Sequence, residues 1–94
     1  MYRDQKIVVV MPAYNAARTV RQTWQEVRDQ QIVDHIILVD DGSHDDTAAV
    51  ARGLEGVQVH VHERNRGYGG NQKSCYRLAL EAGADIVIMI HPDY

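Results

Sequence analysis

The sequence predicts an α/β fold, a Rossmann-like, three-layer α/β/α arrangement in which helices cover both faces of a parallel sheet. Two observations lead to this prediction. Four short runs of apolar residues alternate along the chain with three segments whose apolar residues recur at helical spacing. Strands and helices that alternate in this way favour a parallel sheet joined by right-handed crossovers.

The four predicted strands differ in how deeply they should be buried. Residues 7–11, 36–39 and 86–90 are apolar throughout, whereas residues 57–62 alternate apolar with polar side chains. A continuous apolar run indicates a strand that is covered on both faces, and alternation indicates a strand with one exposed face. We therefore expect the third strand at an edge, the first strand in the centre, and a spatial order of 3-2-1-4.

The segments between the strands are predicted to be helices that pack on the sheet. Asn15 is expected to cap the first helix, because its side-chain oxygen can accept a hydrogen bond from an orphan backbone N–H. Gly56 and Gly83 are expected to end the second and third helices in the left-handed conformation. The apolar faces are formed by Val20, Trp24 and Val27, by Thr47, Val50, Ala51 and Leu54, and by Cys75, Leu78, Ala79 and Ala82.

Composition excludes several classes of protein. A chain of 94 residues is long enough for one domain, and a net charge of −3 without a cluster of Lys and Arg disfavours nucleic-acid binding. No apolar run approaches the roughly 20 residues that a membrane span needs. The polar first residues indicate no signal peptide. The single cysteine, Cys75, fits a reducing cytoplasm and is expected in the apolar core.

Polar residues follow three of the strands at one edge of the predicted sheet. Residues 12–15 come after the first strand, residues 40–43 after the second and residues 91–93 after the fourth. In open α/β sheets, ligands bind beyond the carboxyl ends of the strands, at the point where the strand order reverses. That point lies between the first and fourth strands, so we expect the ligand site there.

Two motifs can be interpreted in more than one way from their residues alone. Asp40 and Asp41 either bind a ligand or cap the next helix, but an NAD site is rejected because MPAYNAA contains no glycine. The stretch GYGGNQKS is not a P-loop, since Gln72 stands where that motif has its second glycine. It is either a flexible loop or a glycine-rich approach for an anion, with Arg66 or Lys73 nearby.

The histidines also allow alternatives. His60 and His62 should share one face of the third strand, where a solvated face is favoured over a metal site that has no third ligand. His91 and Asp93 either ligate a divalent cation, for which a carboxylate is the better ligand of Mg²⁺ and an imidazole is acceptable to Mn²⁺, or form a turn around Pro92. Tyr14 either stacks on a base or covers the sheet edge.

Four motifs together resemble those of the family 2 glycosyltransferases, the GT-A fold group that includes dolichyl-phosphate mannosyltransferase-like enzymes. They are VVVMPAYNAARTV, ILVDDGSHDDTA, NRGYGGNQKSCYRLAL and GADIVIMIHPD, and they follow one another in the family's order across nearly the whole chain. The resemblance implies that residues 1–94 form a single GT-A half-domain, the N-terminal subdomain that binds a nucleotide-sugar.

The resemblance also implies roles for individual residues. The base of the nucleotide would lie against Pro12 and Tyr14 and would be hydrogen-bonded by Asp41, while Asp40 would brace its loop or reach the ribose. A divalent cation, Mg²⁺ or Mn²⁺, would be held by Asp93, with His91 in place of the first aspartate of the family's D-x-D. The full set of implied nucleotide-sugar-binding residues is Pro12, Ala13, Tyr14, Asn15, Asp40, Asp41, Gly42, Arg66 and Gly67.

The function implied by the resemblance is donor binding within a glycosyltransferase that moves a sugar from a UDP- or GDP-linked donor to a lipid or saccharide acceptor. The family's acceptor site and catalytic base lie downstream of its D-x-D, so no catalytic base is assigned and residues 1–94 alone are expected not to transfer sugar. We expect self-association through the fourth strand, and a cytoplasmic protein that is membrane-associated at full length. The alternatives are a non-catalytic interaction module and a nucleotidyltransferase-like enzyme.

Overall fold

The computed structural model describes residues 4–92, in which four parallel strands form one sheet in the order β3-β2-β1-β4. The predicted α/β class and strand order are therefore confirmed. The elements follow one another as β1 (Ile7–Ala13), α1 (Val20–Asp29), β2 (His35–Asp40), α2 (Thr47–Arg52), β3 (Val57–Val61), α3 (Gly67–Glu81) and β4 (Ile86–Met89).

The central strand β1 separates two apolar layers. All seven of its residues are buried, and successive side chains point to opposite faces of the sheet. Val9 and Met11 join the layer that contains α1 and α2, whereas Val8 and Val10 join the layer that contains α3. This division produces the predicted three-layer arrangement, with the sheet as its middle layer.

Strand β1 is two residues longer than the sequence pattern predicts. Pro12 is among the residues predicted to follow the strand, but it lies within β1 opposite Val39 of β2. The backbone explains why proline is tolerated there. The carbonyl of Val10 accepts a bond from the β4 side and that of Ala13 accepts one from the β2 side, so Pro12 faces the β4 side, where pairing has already ended at Met89.

Three predicted helix boundaries are wrong. Asn15 does not cap α1, because α1 begins at Val20 and Asn15 adopts a left-handed conformation with φ of 52°. Gly56 has the predicted left-handed conformation, with φ of 77°, but it does not end α2, which already stops at Arg52. The glycine-rich stretch after β3 is not a loop, since Gly67 opens helix α3. Gly83, in contrast, follows α3 in the predicted left-handed conformation, with φ of 79°.

Helix α3 is the longest helix and packs against one face of the sheet. Cys75 and Ala79 are fully buried in that layer, and burial raises the pKa of the Cys75 thiol to about 12. The thiol therefore stays protonated at neutral pH, as the predicted inert core position requires. None of the helices that the structure describes is long and apolar enough to cross a bilayer.

Strand β4 is less buried than its apolar sequence predicts. It pairs with β1, and no strand among residues 4–92 pairs with its other side. Its residues are therefore half-buried or exposed, and Ile88 is 38% exposed. An unpaired strand side presents free backbone donors and acceptors, so β4 is an exposed apolar edge of the described sheet.

We expect Leu38→Ala to lower the free energy of unfolding by about 2–5 kcal/mol, because it removes a fully buried side chain from β2 and leaves a cavity. Leu80→Ala is the matched control, since Leu80 is 69% exposed on α3, and its effect should stay within about 0.5 kcal/mol. Urea unfolding of the two variants measures the difference. Equal effects would contradict the assignment of Leu38 to the core.

Candidate functional site

An open pocket of about 240 Å³ lies at the carboxyl edge of the sheet, at the switch point between β1 and β4. Six of its lining residues are sequence-predicted site residues, which the fold brings together from four separate stretches of the chain. The pocket is lined by Pro12, Ala13, Tyr14, Asp41, Asn65, Gly67, Tyr68, Asn71 and His91.

Asp41 is the buried charged residue of this pocket. Its Oδ1 accepts a hydrogen bond from the backbone N–H of Arg66 at 2.8 Å and lies 2.8 Å from Nδ1 of His62. Among residues 4–92, no hydrogen bond is made to its Oδ2, and no fully buried side-chain oxygen or nitrogen lacks a partner. Oδ2 therefore keeps some exposed area on a side chain that is 5% exposed, and because Asp41 lines the pocket, this oxygen is the acceptor that remains for a ligand.

The buried His62 contacts Asp41, and the sequence pattern did not predict this contact. The prediction of a solvated face for His60 and His62 is wrong for His62, whose side chain is 0% exposed. Its Nε2 lies 2.7 Å from the hydroxyl of Ser74 on α3. The position of His62 in the sequence could have indicated this contact, because His62 follows β3 at the same sheet edge as Asp41.

His60 differs from its neighbour on the strand. It is half-buried, and its ring meets that of His62 edge to face at 5.7 Å. Burial lowers the pKa of His60, and the charges of His62, Arg77 and Arg66 lower it further. Within the described part of the chain, no three His, Cys, Asp or Glu side chains are grouped as a metal site.

Asp40 stabilises the loop that follows β2. The carboxylate is buried and accepts hydrogen bonds from the backbone N–H and the hydroxyl of Ser43. Gly42 lies between them with φ of 74°, and a Cβ on it would stand 3.3 Å from the backbone nitrogen of Asn65. Glycine is therefore favoured by both the conformation and the space. These contacts agree with the bracing role considered for Asp40.

A second set of hydrogen bonds joins the loop after β1 to the loop after β2. We call this set, formed between residues 15–17 and 43–47, the loop clasp. Asn15 accepts from the backbone N–H of His44 and donates its own N–H to Ser43. The backbone N–H of Ala16 donates to the buried Thr47 hydroxyl at 2.8 Å. Tyr14 directly precedes the clasp and lines the pocket.

Asp45 completes the loop clasp. It accepts hydrogen bonds from Thr47 and from the backbone N–H of Ala17. Burial raises the pKa of the Asp45 carboxyl, but the hydrogen bonds outweigh this effect and leave the pKa below its usual value. Asp45 is therefore ionised at neutral pH, and the ionised carboxylate accepts these hydrogen bonds.

Two residues that the sequence analysis did not assign, Tyr68 and Asn71, form the α3 side of the pocket. The buried Asn71 donates to the backbone carbonyl of Val39 at 3.0 Å, which ties the start of α3 to β2. The Tyr68 hydroxyl lies 2.5 Å from Nε2 of His91, and the two rings stack at 5.4 Å. Tyr68 therefore orients His91 at the pocket.

The predicted cation ligands are only partly within the described residues. Asp93 lies outside them, whereas His91 lines the pocket with Nε2 engaged by Tyr68. Divalent cations that assist phosphoryl chemistry are commonly held by one or two protein ligands together with phosphate oxygens. One oriented imidazole beside an open pocket fits such a shared site, and it does not fit a cation held by protein ligands alone.

Four predicted residues do not line the pocket. Asn15 belongs to the loop clasp, while Asp40 and Gly42 shape the loop after β2. Arg66 contacts the site only through its backbone N–H to Asp41. Its side chain lies against Gly70 and lines a separate cavity of about 200 Å³ with Lys73, Ser74 and Arg77.

Comparison with known proteins supports the resemblance seen in the sequence. The family model described as "Glycosyl transferase family 2" matches residues 8–94. The UDP-N-acetylglucosamine–dolichyl-phosphate N-acetylglucosaminyltransferase of Methanococcus voltae is 30% identical over 96% of this chain and 42% of its own length. The undecaprenyl-phosphate mannosyltransferase of Micrococcus luteus is 30% identical over 94% of this chain and 38% of its own length.

Solved structures share the fold. Glucosyl-3-phosphoglycerate synthase of Mycobacterium tuberculosis, crystallised with Mn²⁺, UDP and glucosyl-3-phosphoglycerate, has a TM-score of 0.78 and 28% identity over 96% of this chain and 34% of its own. Mannosyl-3-phosphoglycerate synthase of Rubrobacter xylanophilus has a TM-score of 0.79 and 27% identity over 95% of this chain and 31% of its own. The chain thus spans less than half the length of these relatives.

We expect Thr47→Val to destabilise the protein by about 1–3 kcal/mol, because it leaves the buried N–H of Ala16 without its acceptor. Thr47→Ser keeps the hydroxyl and should retain most of the stability. The free energy of unfolding in urea measures both variants. The role of the loop clasp would be refuted if valine and serine at this position had the same effect.

Proposed function

Because the chain belongs to glycosyl transferase family 2, we propose that its pocket binds the nucleotide of a nucleoside-diphosphate sugar, the donor in sugar transfer. The observation that carries this proposal is the position of Asp41. A buried carboxylate with one oxygen fully engaged and the other accessible offers a fixed acceptor inside a concave site. Such a group suits the N–H edge of a nucleobase.

The base would lie against the end of β1. Pro12 and Tyr14 present an apolar surface and an aromatic ring beside Asp41, a combination that suits a flat heterocycle. A carboxylate acceptor favours bases with ring N–H donors, which uracil and guanine have. UDP is the first choice, since the glucosyl-3-phosphoglycerate synthase was crystallised with UDP, and GDP is the second.

The remaining predicted residues support the nucleotide in different ways. Ala13 and Gly67 line the pocket without large side chains and leave room for the sugar and phosphates. Asn15, Asp40 and Gly42 act through the loops that they stabilise. Arg66 acts through its backbone N–H to Asp41, and its guanidinium does not reach the pocket lining.

A divalent cation, Mg²⁺ or Mn²⁺, is part of the proposal. His91 and Asp93 would hold it together with the diphosphate oxygens of the donor. A cation there offsets the negative charge that develops on a departing nucleoside diphosphate. Tyr68 contributes by orienting the imidazole of His91.

For the whole protein, we propose a reaction in which a sugar is transferred from the bound donor to a lipid or saccharide acceptor. The dolichyl-phosphate and undecaprenyl-phosphate enzymes among the relatives favour a lipid acceptor. Residues 1–94 would provide the donor-binding subdomain of this reaction. The proposal places the protein in the cytoplasm, at a membrane when the acceptor is a lipid.

The exposed edge of β4 leads us to expect self-association of the 94-residue chain, because an unpaired apolar strand can pair with a second copy. Light scattering should show a mass that rises with concentration, and Ile88→Lys should suppress the rise by placing a charge on this strand. Leu80→Lys, on the exposed face of α3, is the control. A wild-type chain that stays monomeric at high concentration would contradict self-association.

We expect Asp41→Asn to weaken UDP binding about 10- to 100-fold, since a hydrogen bond to a charged group contributes about 1.5–3 kcal/mol. The amide retains the shape of the carboxylate but replaces one acceptor with a donor. Isothermal titration of UDP in the presence of Mn²⁺ measures the affinity. Asp46→Asn is the control, because this exposed carboxylate does not line the pocket.

Donor binding at this pocket would be refuted by either of two results of that titration. The first is a wild-type chain that does not bind UDP or GDP. The second is an Asp41→Asn variant whose affinity equals that of the wild type while the variant remains folded.

A further inference from the structure

His62 does not line the donor pocket, yet it is a fully enclosed polar side chain that contacts Asp41. Its side chain is 0% exposed, and both ring nitrogens lie within hydrogen-bonding distance of side-chain oxygens. We propose that His62 is a positioning residue that sets the base specificity of the pocket through Asp41. This inference rests on the proposed function, in which Asp41 contacts the base.

The geometry restricts how Asp41 can present its carboxylate. Oδ1 accepts from two directions, from Nδ1 of His62 at 2.8 Å and from the backbone N–H of Arg66 at 2.8 Å. Rotation of the carboxylate would break both bonds inside a buried site, where a lost hydrogen bond is not replaced by water. Oδ2 therefore stays in one position and acts only as a hydrogen-bond acceptor.

Ser74 fixes the orientation of the imidazole. A carboxylate only accepts hydrogen bonds, so Nδ1 of His62 must carry a proton to donate to Asp41. In the neutral ring, Nε2 is then an acceptor, and it lies 2.7 Å from the hydroxyl of Ser74, which donates to it. The serine sits on α3, so this helix holds the ring in the tautomer that Asp41 needs.

A fixed acceptor distinguishes two pyrimidines of nearly the same shape. Uracil carries a hydrogen on N3, whereas cytosine has a lone pair at that atom. An immobile Oδ2 accepts the N–H of uracil and repels the lone pair of cytosine, and a site built around one hydrogen bond rejects the ligand that cannot make it. A mobile carboxylate could turn away from that lone pair and accept from the exocyclic amino group of cytosine instead, so it would discriminate less. The ratio of the UDP and CDP affinities therefore reports the positioning of Asp41.

Two amide variants separate the two hydrogen bonds of His62. In His62→Asn, the amide nitrogen occupies nearly the place of Nδ1, so the donor to Asp41 is kept. In His62→Gln, the amide nitrogen occupies nearly the place of Nε2, so the contact with Ser74 is kept and the donor to Asp41 is lost. Both variants replace the buried ring with an amide. They differ in the hydrogen-bond partner that is kept, which is Asp41 in His62→Asn and Ser74 in His62→Gln.

The test is isothermal titration of UDP and of CDP into the 94-residue chain, with Mn²⁺ present and with thermal unfolding recorded for each variant. We expect His62→Gln to lower the UDP-to-CDP affinity ratio about tenfold, the size of effect typical of a residue that orients a binding group. His62→Asn should keep the ratio near that of the wild type. The control His60→Asn changes the neighbouring histidine, which makes no hydrogen bond to Asp41, and should leave the ratio unchanged.

The outcomes distinguish this inference from the proposed function. A wild-type chain that binds no nucleotide overturns both. A wild-type chain that prefers UDP, with an equal preference in His62→Gln, overturns the role of His62 alone. Equal loss of the ratio in the asparagine and glutamine variants also overturns it, because a merely structural role predicts that result.

Discussion

The candidate site depends on the hydrogen bonds that meet at Oδ1 of Asp41. This oxygen joins three parts of the chain, since Asp41 follows β2, His62 follows β3, and Arg66 directly precedes α3. Hydrogen bonds to a charged acceptor are among the stronger ones, with a net value of about 1.5–3 kcal/mol each. They place the start of α3 beside the ends of the strands and leave Oδ2 accessible at the pocket.

The other wall of the pocket depends on neighbouring loops that stabilise each other. The backbone after β1 has few partners of its own, because α1 begins only at Val20. Its N–H groups are satisfied by side chains of the loop after β2, namely Ser43, Asp45 and Thr47. The acidic and hydroxyl residues of DDGSHDDT therefore serve mainly to position backbone, and Asp41 alone among them lines the pocket.

Much of the fold was predictable because hydrophobic burial imposes a simple pattern on each strand. The fully apolar β1 belongs in the centre and the alternating β3 at an edge, and the strand order follows from these two facts. The helix starts were less predictable. Gly67 begins α3 with φ of 78°, a left-handed conformation that favours glycine, and the bond from Asn71 to Val39 ties the helix to β2 one turn later.

The sequence by itself determined the family, the sheet and the edge at which the polar residues gather, because these follow from motifs and from the period of apolar residues along the chain. Only the tertiary structure decided which polar side chains at that edge meet. It buried His62 against Asp41, turned the Arg66 side chain away from the pocket, and brought Tyr68 to His91. The physical reason is that hydrogen bonds between residues 20 or more positions apart depend on the packing of whole elements, which leaves no local pattern in the sequence.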